Sequence, residues 1–300
     1  MRSAGEMAFL KTAQLGSIRA AARALDQDPS GISRRITQLE RRLGTQLVDR
    51  SGNQTTVTAA GRIYYERLKV ILDQLEALEA EIGGEESHPT GLLRVTAAID
   101  FGQEFLAKWL LEFRDQHPGI DFDLILSSAF LDLAQHNVDV AIRIGNLPDS
   151  SLIARKIGEV PRVLVASRGY LDRNGVPQTA KDLEAHEFVF FAPGNRTQPL
   201  ELTQPDGSIA RVVRKGGVTI NAVRSAVEAV RAGHGIHLGP LWAFSDAIET
   251  GAVQIVLPDH SHKALPLYVV RQPSVVVPAR VSRFVEFLAD RVRSVNGITV

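Results

Sequence analysis

The 300-residue sequence contains no cysteine, which excludes a disulfide framework, a thiolate metal site and a cysteine nucleophile together. It also lacks a basic amino terminus leading into an apolar signal core, and no apolar run reaches membrane-spanning length. These absences predict a soluble, cytoplasmic protein with no membrane partner. Catalytic chemistry is equally scarce: no serine sits in a nucleophile elbow and no carboxylate pair stands out as an acid–base couple. His234 with His237, and His260 with His262, lack carboxylate or cysteine neighbours at a recognised metal-binding spacing, so no metal is expected. Gly233-His234-Gly235 is a fragment of a nucleotide-binding fingerprint without a phosphate-loop lysine. The expectation is a protein that is not an enzyme and holds no cofactor.

What is present points elsewhere. With 44% hydrophobic and 23% charged residues, a chain of this length exceeds what one core serves, so two units joined by a linker are expected. Lysines and arginines equal aspartates and glutamates at 34 each, but the charge is unevenly spread. Through Tyr65, Arg2, Lys11, Arg19, Arg23, Arg34, Arg35, Arg41, Arg42, Arg50 and Arg62 outnumber Glu6, Asp26, Asp28, Glu40 and Asp49 by about five. That asymmetry suits an attached nucleic-acid module, or a plain solvated surface.

Met7, Phe9, Leu10 and Ala13 recur at helical spacing before Gly16. Ser17 can cap a second helix whose Ala20, Ala21, Ala24 and Leu25 face lets another helix come close. Asp28 and Pro29 make a strong start for a third, running to about Leu43 and stopped by Gly44. Its Ile32, Ile36, Leu39 and Leu43 share one side, and Ser30, Ser33, Arg34, Arg41 and Arg42 fall largely elsewhere. Gln46 to Val48 and Thr55 to Thr58 can pair across a Ser-Gly-Asn turn as a hairpin. Three helices and a hairpin predict a winged helix-turn-helix whose third helix enters the major groove.

The stretch from Gly16 to Gly61, GSIRAAARALDQDPSGISRRITQLERRLGTQLVDRSGNQTTVTAAG, resembles the amino-terminal signature of LysR-type transcriptional regulators. The resemblance implies that Ser30, Ser33, Arg34 and Gln38 face the groove and that Arg50 sits at the base of the wing. Ser17, Arg19, Pro29 and Arg35 complete the implied DNA-binding set. Two departures stand out: Pro29 replaces a groove-facing glutamine common in relatives, and the wing tip, Asn53 and Gln54, lacks their arginine. An altered operator and a weaker phosphate grip are expected, with binding retained.

From Thr58 one long helix is predicted, with Tyr64, Leu68, Ile71, Leu75, Leu78 and Ile82 as a heptad seam. The stripe can pair with a second chain, as the resemblance implies, or lie against its own domain. Gly83 to Pro89 reads as the linker. Beyond Gly91, strand-like runs alternate with helical stretches, predicting α/β architecture with mainly parallel sheets. LLRVTAAIDFG, VDVAIRIGNLPDSSLIARKIG and AGHGIHLGP resemble landmarks of the family's effector-binding domain, the second particularly its CrgA-like branch.

The expected fold is therefore α+β and multi-domain. It comprises a DNA-binding domain (1–58), a linker and dimerisation helix (59–90) and a two-lobed, periplasmic-binding-protein-like effector domain (91–300). One lobe would span 91–161 and 267–300, the other 162–266. Helix amino termini and parallel strand ends present free amides to a ligand. This places Ile99, Asp100, Phe101, Gly102, Ser127, Ser128, Arg143 and Gly145 in the cleft from one lobe, with Asn195, Asn221, His237 and Pro240 from the other. Asp100 stands where many relatives carry serine or threonine. Its carboxylate predicts a neutral or amine-bearing ligand unless Arg143 neutralises it, or else it is a plain helix cap. The implied function is a LysR-type regulator that binds operator DNA as a dimer of dimers, responds to a small molecule and touches RNA polymerase if it activates. A solute-binding protein and an α/β enzyme are the alternatives.

Overall fold

The computed structural model describes residues 4–50, 55–83, 89–191, 198–274 and 277–300. Asn53, Gln54 and Asn195, together with the side chain of Ile82, lie outside the described set. The chain divides into two compact units, residues 1–87 with 276–278 and residues 88–275 with 279–300.

The first unit contains α1 (Ala4–Leu15), α2 (Ile18–Ala24), α3 (Pro29–Leu43), β1 (Val48–Asp49), β2 (Thr56–Val57) and α4 (Ala59–Gly83). Local chemistry sets each boundary. Ser17 accepts the Ala20 amide hydrogen at 3.3 Å, Asp28 accepts that of Gly31 at 2.8 Å, and Pro29 fills the first helical position. Gly44 ends α3 in the left-handed conformation at φ 68°. Ala21 and Ala22 are buried, so α2 comes close to the core of Phe9, Ile32, Ile36 and Leu39. β1 and β2 pair antiparallel as a short hairpin. Thr58 Oγ1 then accepts the Gly61 amide hydrogen at 3.0 Å and donates to Gln46 O at 2.7 Å, starting α4 and tying it to the hairpin. A methyl group on Gly61 would stand 2.1 Å from Leu47 O, so only glycine lets α4 leave the wing this closely.

Along α4 the predicted seam splits. Tyr64 and Leu68 pack against the core of their own domain, Tyr64 tilted against Phe9 with ring centroids 5.7 Å apart. Ile63, Val70, Ile71 and Leu78 are exposed. The amino-terminal part of the stripe is thus taken by the chain itself, and the exposed apolar side chains include two, Ile63 and Val70, that the heptad reading passed over.

In the second unit, lobe 1 begins with β3 (Gly91–Ala97), followed by α5 (Ile99–Phe101), a π-helical segment (Gly102–Leu106) and α6 (Ala107–Gln116). It continues through β4 (Ile120–Leu126), β5 (Val140–Ile144) and β6 (Ile153–Val160). Lobe 2 holds β7 (Arg162–Ser167), α7 (Arg168–Asn174), a 3-10 turn (Ala180–Ala185), β8 (Glu187–Phe191), β9 (Leu200–Thr203) and β10 (Ile209–Val212). It goes on through β11 (Lys215–Ile220), α8 (Val223–Arg231), β12 (His237–Pro240), α9 (Leu241–Glu249) and β13 (Val253–Ile255). The chain returns to lobe 1 with β14 (Leu265–Arg271) and α10 (Ala279–Arg293).

The lobe 1 sheet has the order β4-β3-β5-β14-β6. β3 runs parallel to β4 and β5, but β14 is antiparallel to β5 and β6. In lobe 2, β7 lies between β12 and β13 and is antiparallel to both. The expectation of mainly parallel sheets is therefore corrected to mixed ones. A strand returning from the other lobe enters the sheet at the hinge end and must run backwards. Phe188, Phe190, Leu200 and Leu202 form one core of lobe 2, and Val165, Val230 and Phe244 another.

Candidate nucleic-acid interface and effector cleft

The amphipathic pattern of α3 decides which side chains stay outside. Ile32, Ile36 and Leu39 are buried, and Pro29, Ser30, Arg34 and Gln38 are exposed. Ser30 donates its hydroxyl hydrogen to Asp28, and this bond with the Gly31 amide holds the Asp28 carboxyl below the usual range. Ser33 is half-buried and its oxygen accepts from Arg50 at 3.0 Å. Arg35 is half-buried and donates to Gln27, and Arg19 is exposed on α2. Of the predicted set, Ser17 spends its oxygen on the α2 cap, whereas Arg19, Arg34 and Gln38 are exposed cations and an amide with no engagement among the described residues.

Glu40 was missed. Its Oε1 accepts the amide hydrogens of Leu47 at 2.8 Å and Val48 at 3.1 Å, and its Oε2 lies 3.5 Å from Arg50. One carboxylate thus fixes the start of the hairpin and the direction of Arg50. Spacing along α3 alone gives no hint of it, because its partners lie beyond the helix.

In the second unit the parallel run of β3, β4 and β5 brings their carboxyl ends to one edge, with Ala97 in register with both Leu126 and Ile142. Ile99 to Gly102, Ser127 with Ser128, and Arg143 with Gly145 therefore gather there, as the sequence predicts. Gly102 sits so close to β4 that a methyl group on it would stand 2.1 Å from a Leu126 methyl carbon. Gly145 turns at φ 101° and donates to Pro266 O at 2.9 Å, joining the end of β5 to the returning strand.

Asp100 does not face open space. Its carboxylate accepts the amide hydrogens of Val223 at 2.8 Å and Arg224 at 3.1 Å, at the amino terminus of α8 in the opposite lobe. The residue preceding α8, Ala222, has no side chain that can cap it, so the cap comes from 122 residues away in sequence, as the difference between Ala222 and Asp100. Asn221, expected to open this helix, is exposed and stands before the cap position. Around the bridge, Arg224 reaches Glu104 at 2.5 Å, and Trp242 of α9 meets Phe101 and Phe105 edge-on. Of the two readings of Asp100, the helix cap is the one that holds, on α8 of the opposite lobe and not on its own helix, so its charge is spent on helix amides.

Among the described residues, the Arg143 guanidinium has no such partner. The residue is 7% exposed, its Nη2 is buried without a hydrogen bond, and the Phe130 ring lies 5.1 Å from its guanidinium carbon. Burial pushes its pKa below the ordinary arginine value. Phe130, missed in the sequence because an isolated loop aromatic carries no pattern, is 60% exposed. It also walls a cavity of about 440 Å³ with Leu131, Leu133, Ser151, Leu152 and Gln272.

His237 is 1% exposed, with Nδ1 2.8 Å from Val189 O and its ring beside Phe244. It packs inside lobe 2 instead of lining an open cleft, a correction that follows from alternation along β12. Burial lowers its pKa to about 4. Pro240 is half-buried across the strand pair from Arg162. Arg162, also missed, donates to Lys263 O at 2.8 Å and lies 2.9 Å from His262 Nδ1, clasping the two crossings between the lobes.

Comparison with known proteins agrees with this architecture. Residues 7–62 match the family model described as bacterial regulatory helix-turn-helix protein, lysR family, and residues 86–293 match the LysR substrate binding domain. The chain is 31% identical over 284 residues to the HTH-type transcriptional activator AaeR of Escherichia coli, covering 94% of this chain and 91% of that one. It is 34% identical over 188 residues to the regulator CrgA of Neisseria meningitidis, covering 62% and 63%. Among solved structures, full-length CrgA superposes with a TM-score of 0.61 at 26% identity, covering 97% of this chain and 99% of that one. The Vibrio cholerae virulence activator AphB gives 0.60 at 28%, covering 97% and 99%. A DNA-reading unit and a two-lobed effector domain, each matched over nearly its full extent, assign this chain to the LysR family of transcriptional regulators.

Proposed function

We propose that this regulator reads a dyad-symmetric operator as a dimer of dimers and is switched by a small molecule held between its lobes. Pro29, Ser30, Arg34 and Gln38 face the major groove, and Arg50, steadied by Ser33 and Glu40, follows the adjacent backbone. The exposed Ile71 and Leu78 of α4 meet a second copy. The carboxyl edge of β3, β4 and β5 receives the ligand, which biases the angle between readers only through unequal affinity for the two lobe arrangements. Such a protein works in the cytoplasm beside DNA, and contacts RNA polymerase where it activates; we assign it no catalytic step.

The observation that carries this reading is the α3 face, where Arg34 and Gln38 stand exposed and, among the described residues, unengaged while the rest of the helix is anchored by caps and core. A gel-shift assay with the DNA flanking the native gene, at two salt concentrations, tests it. A specific, salt-sensitive shift that Ser33→Ala with Arg34→Ala removes is expected. A shift indifferent to sequence, or to that double substitution, would end the reading.

A further inference from the structure

Resting on the reading that a small molecule switches this regulator at the cleft, we propose that this molecule is a carboxylate whose charge is held by Arg143 and whose apolar body lies against lobe 1. Among the described residues, two places at the cleft edge can hold an anion. One is the amino terminus of α8, where two unpaired amides would welcome a carboxylate; Asp100 already fills it from within the chain, at 2.8 and 3.1 Å. The other is Arg143. Among the described residues its guanidinium makes neither an ion pair nor a hydrogen bond, though the residue is 7% exposed and Nη2 is wholly buried.

A guanidinium taken out of water without an acceptor is strongly destabilising unless something pairs with it. The Phe130 ring over it returns only a small part of that. A neutral or amine-bearing ligand leaves the deficit in place, whereas a carboxylate supplies both the charge and the acceptor oxygens. Phe130 is the movable cover: it is 60% exposed and belongs to the loop after β4. Its ring also forms one wall of the lobe 1 cavity of about 440 Å³, whose Leu131, Leu133, Leu152 and Pro273 suit hydrocarbon and whose one carboxylate, Asp132, accepts the amide hydrogens of Ala134 and Gln135. A ligand whose carboxylate displaces the ring from Arg143 can lay its apolar part along these walls.

The test uses the full-length chain with benzoate and hexanoate, against benzamide and hexanamide, in low-salt buffer. Both carboxylates should raise the thermal midpoint by about 2–4 °C at millimolar concentration, and the amides should not. Arg143→Met should weaken carboxylate binding at least tenfold in calorimetry, and Arg143→Lys should recover part of it. Ligand-free Arg143→Met should match or exceed the wild-type midpoint, because an unpaired buried charge has been removed. Equal responses to acids and amides, no response to either, or a sharply lowered ligand-free midpoint for Arg143→Met would overturn the assignment. Carboxylates that bind through Arg143 yet leave operator footprints unchanged would instead sink the control reading and leave the anion site standing.

Discussion

Asp100 at the start of the first helix of lobe 1 accepts the backbone hydrogen of Val223 at the start of α8 in lobe 2, at 2.8 Å. The bond joins the two lobes through a helix terminus that its own N-cap residue, Ala222, leaves open. Both partners are fixed in place by secondary structure, so the contact needs little ordering beyond closure itself.

Asp100→Asn therefore loses more than a charge. The carboxamide offers one oxygen where two amides need acceptors, and its NH2 group opposes the other. A loss of about 1–3 kcal/mol is expected, seen as a lower thermal midpoint and faster hydrogen exchange at Val223 and Arg224. Exchange at those two amides no faster than in the wild type would refute the bridge. The neighbouring Arg224–Glu104 pair is largely exposed, and Glu104→Gln should change stability by less than about 1 kcal/mol.

Glu40→Ala makes an electrostatic prediction that opposes a structural one. Removing a carboxylate near the duplex strengthens sequence-indifferent attraction to phosphate. Releasing the amides of Leu47 and Val48, and the direction of Arg50, loosens the wing. The ratio of specific to non-specific affinity should fall about tenfold even as non-specific binding rises. Competition gel shifts with operator and random DNA measure that ratio, and an unchanged value would remove Glu40 from the reader.

The split of the α4 stripe separates assembly from folding. Ile71→Glu places a charge on an exposed apolar side chain and should weaken self-association about a hundredfold without lowering the stability of the DNA-binding unit. Tyr64→Ala should do the reverse, costing about 2–4 kcal/mol of local stability through the lost contact with Phe9. Sedimentation and thermal unfolding of both variants distinguish the two; identical effects would contradict the split.

His237 gives the effector unit an acid-sensitive stability. Burial lowers its pKa to about 4 in the folded chain, against 6.5 for an unburied histidine. Between those values the unfolded chain binds more protons, so stability is full above pH 6.5 and falls as pH drops towards 4. His237 accounts for at most about 3 kcal/mol of that loss. His262, lowered to about 4 by burial and by Arg162, adds a smaller share because it is half-exposed. His237→Asn, whose amide can still donate to Val189, should flatten the midpoint-against-pH curve below 6.5; an unaltered slope would show that His237 takes up its proton when folded.

The reader was legible almost throughout, and for a physical reason: its boundaries are set by neighbours in sequence. Ser17, Asp28, Pro29, Gly44 and Thr58 each act on amides or angles within a few residues. The strands ending at Ala97, Leu126 and Ile144 were legible for a similar reason, since their apolar runs stop at turn chemistry. Less visible were β6, with half of its residues exposed, and the β9–β10 hairpin with its outward-facing Ile209. Neither makes a continuous apolar run.

The sequence by itself determined the helix-turn-helix, the strand ends that gather at the cleft edge and the absence of thiol chemistry, because these depend on local caps, periodicity and composition. Only the tertiary structure decided what Asp100, Arg143, His237 and Tyr64 do. Each is a side chain whose energy is set by a group far away in sequence, or by the lack of one: helix amides in the other lobe for Asp100, a carbonyl on a neighbouring strand for His237, Phe9 for Tyr64 and, among the described residues, no acceptor for Arg143. Residue type limits what such a group can offer, but the fold chooses whether anything stands opposite to take it.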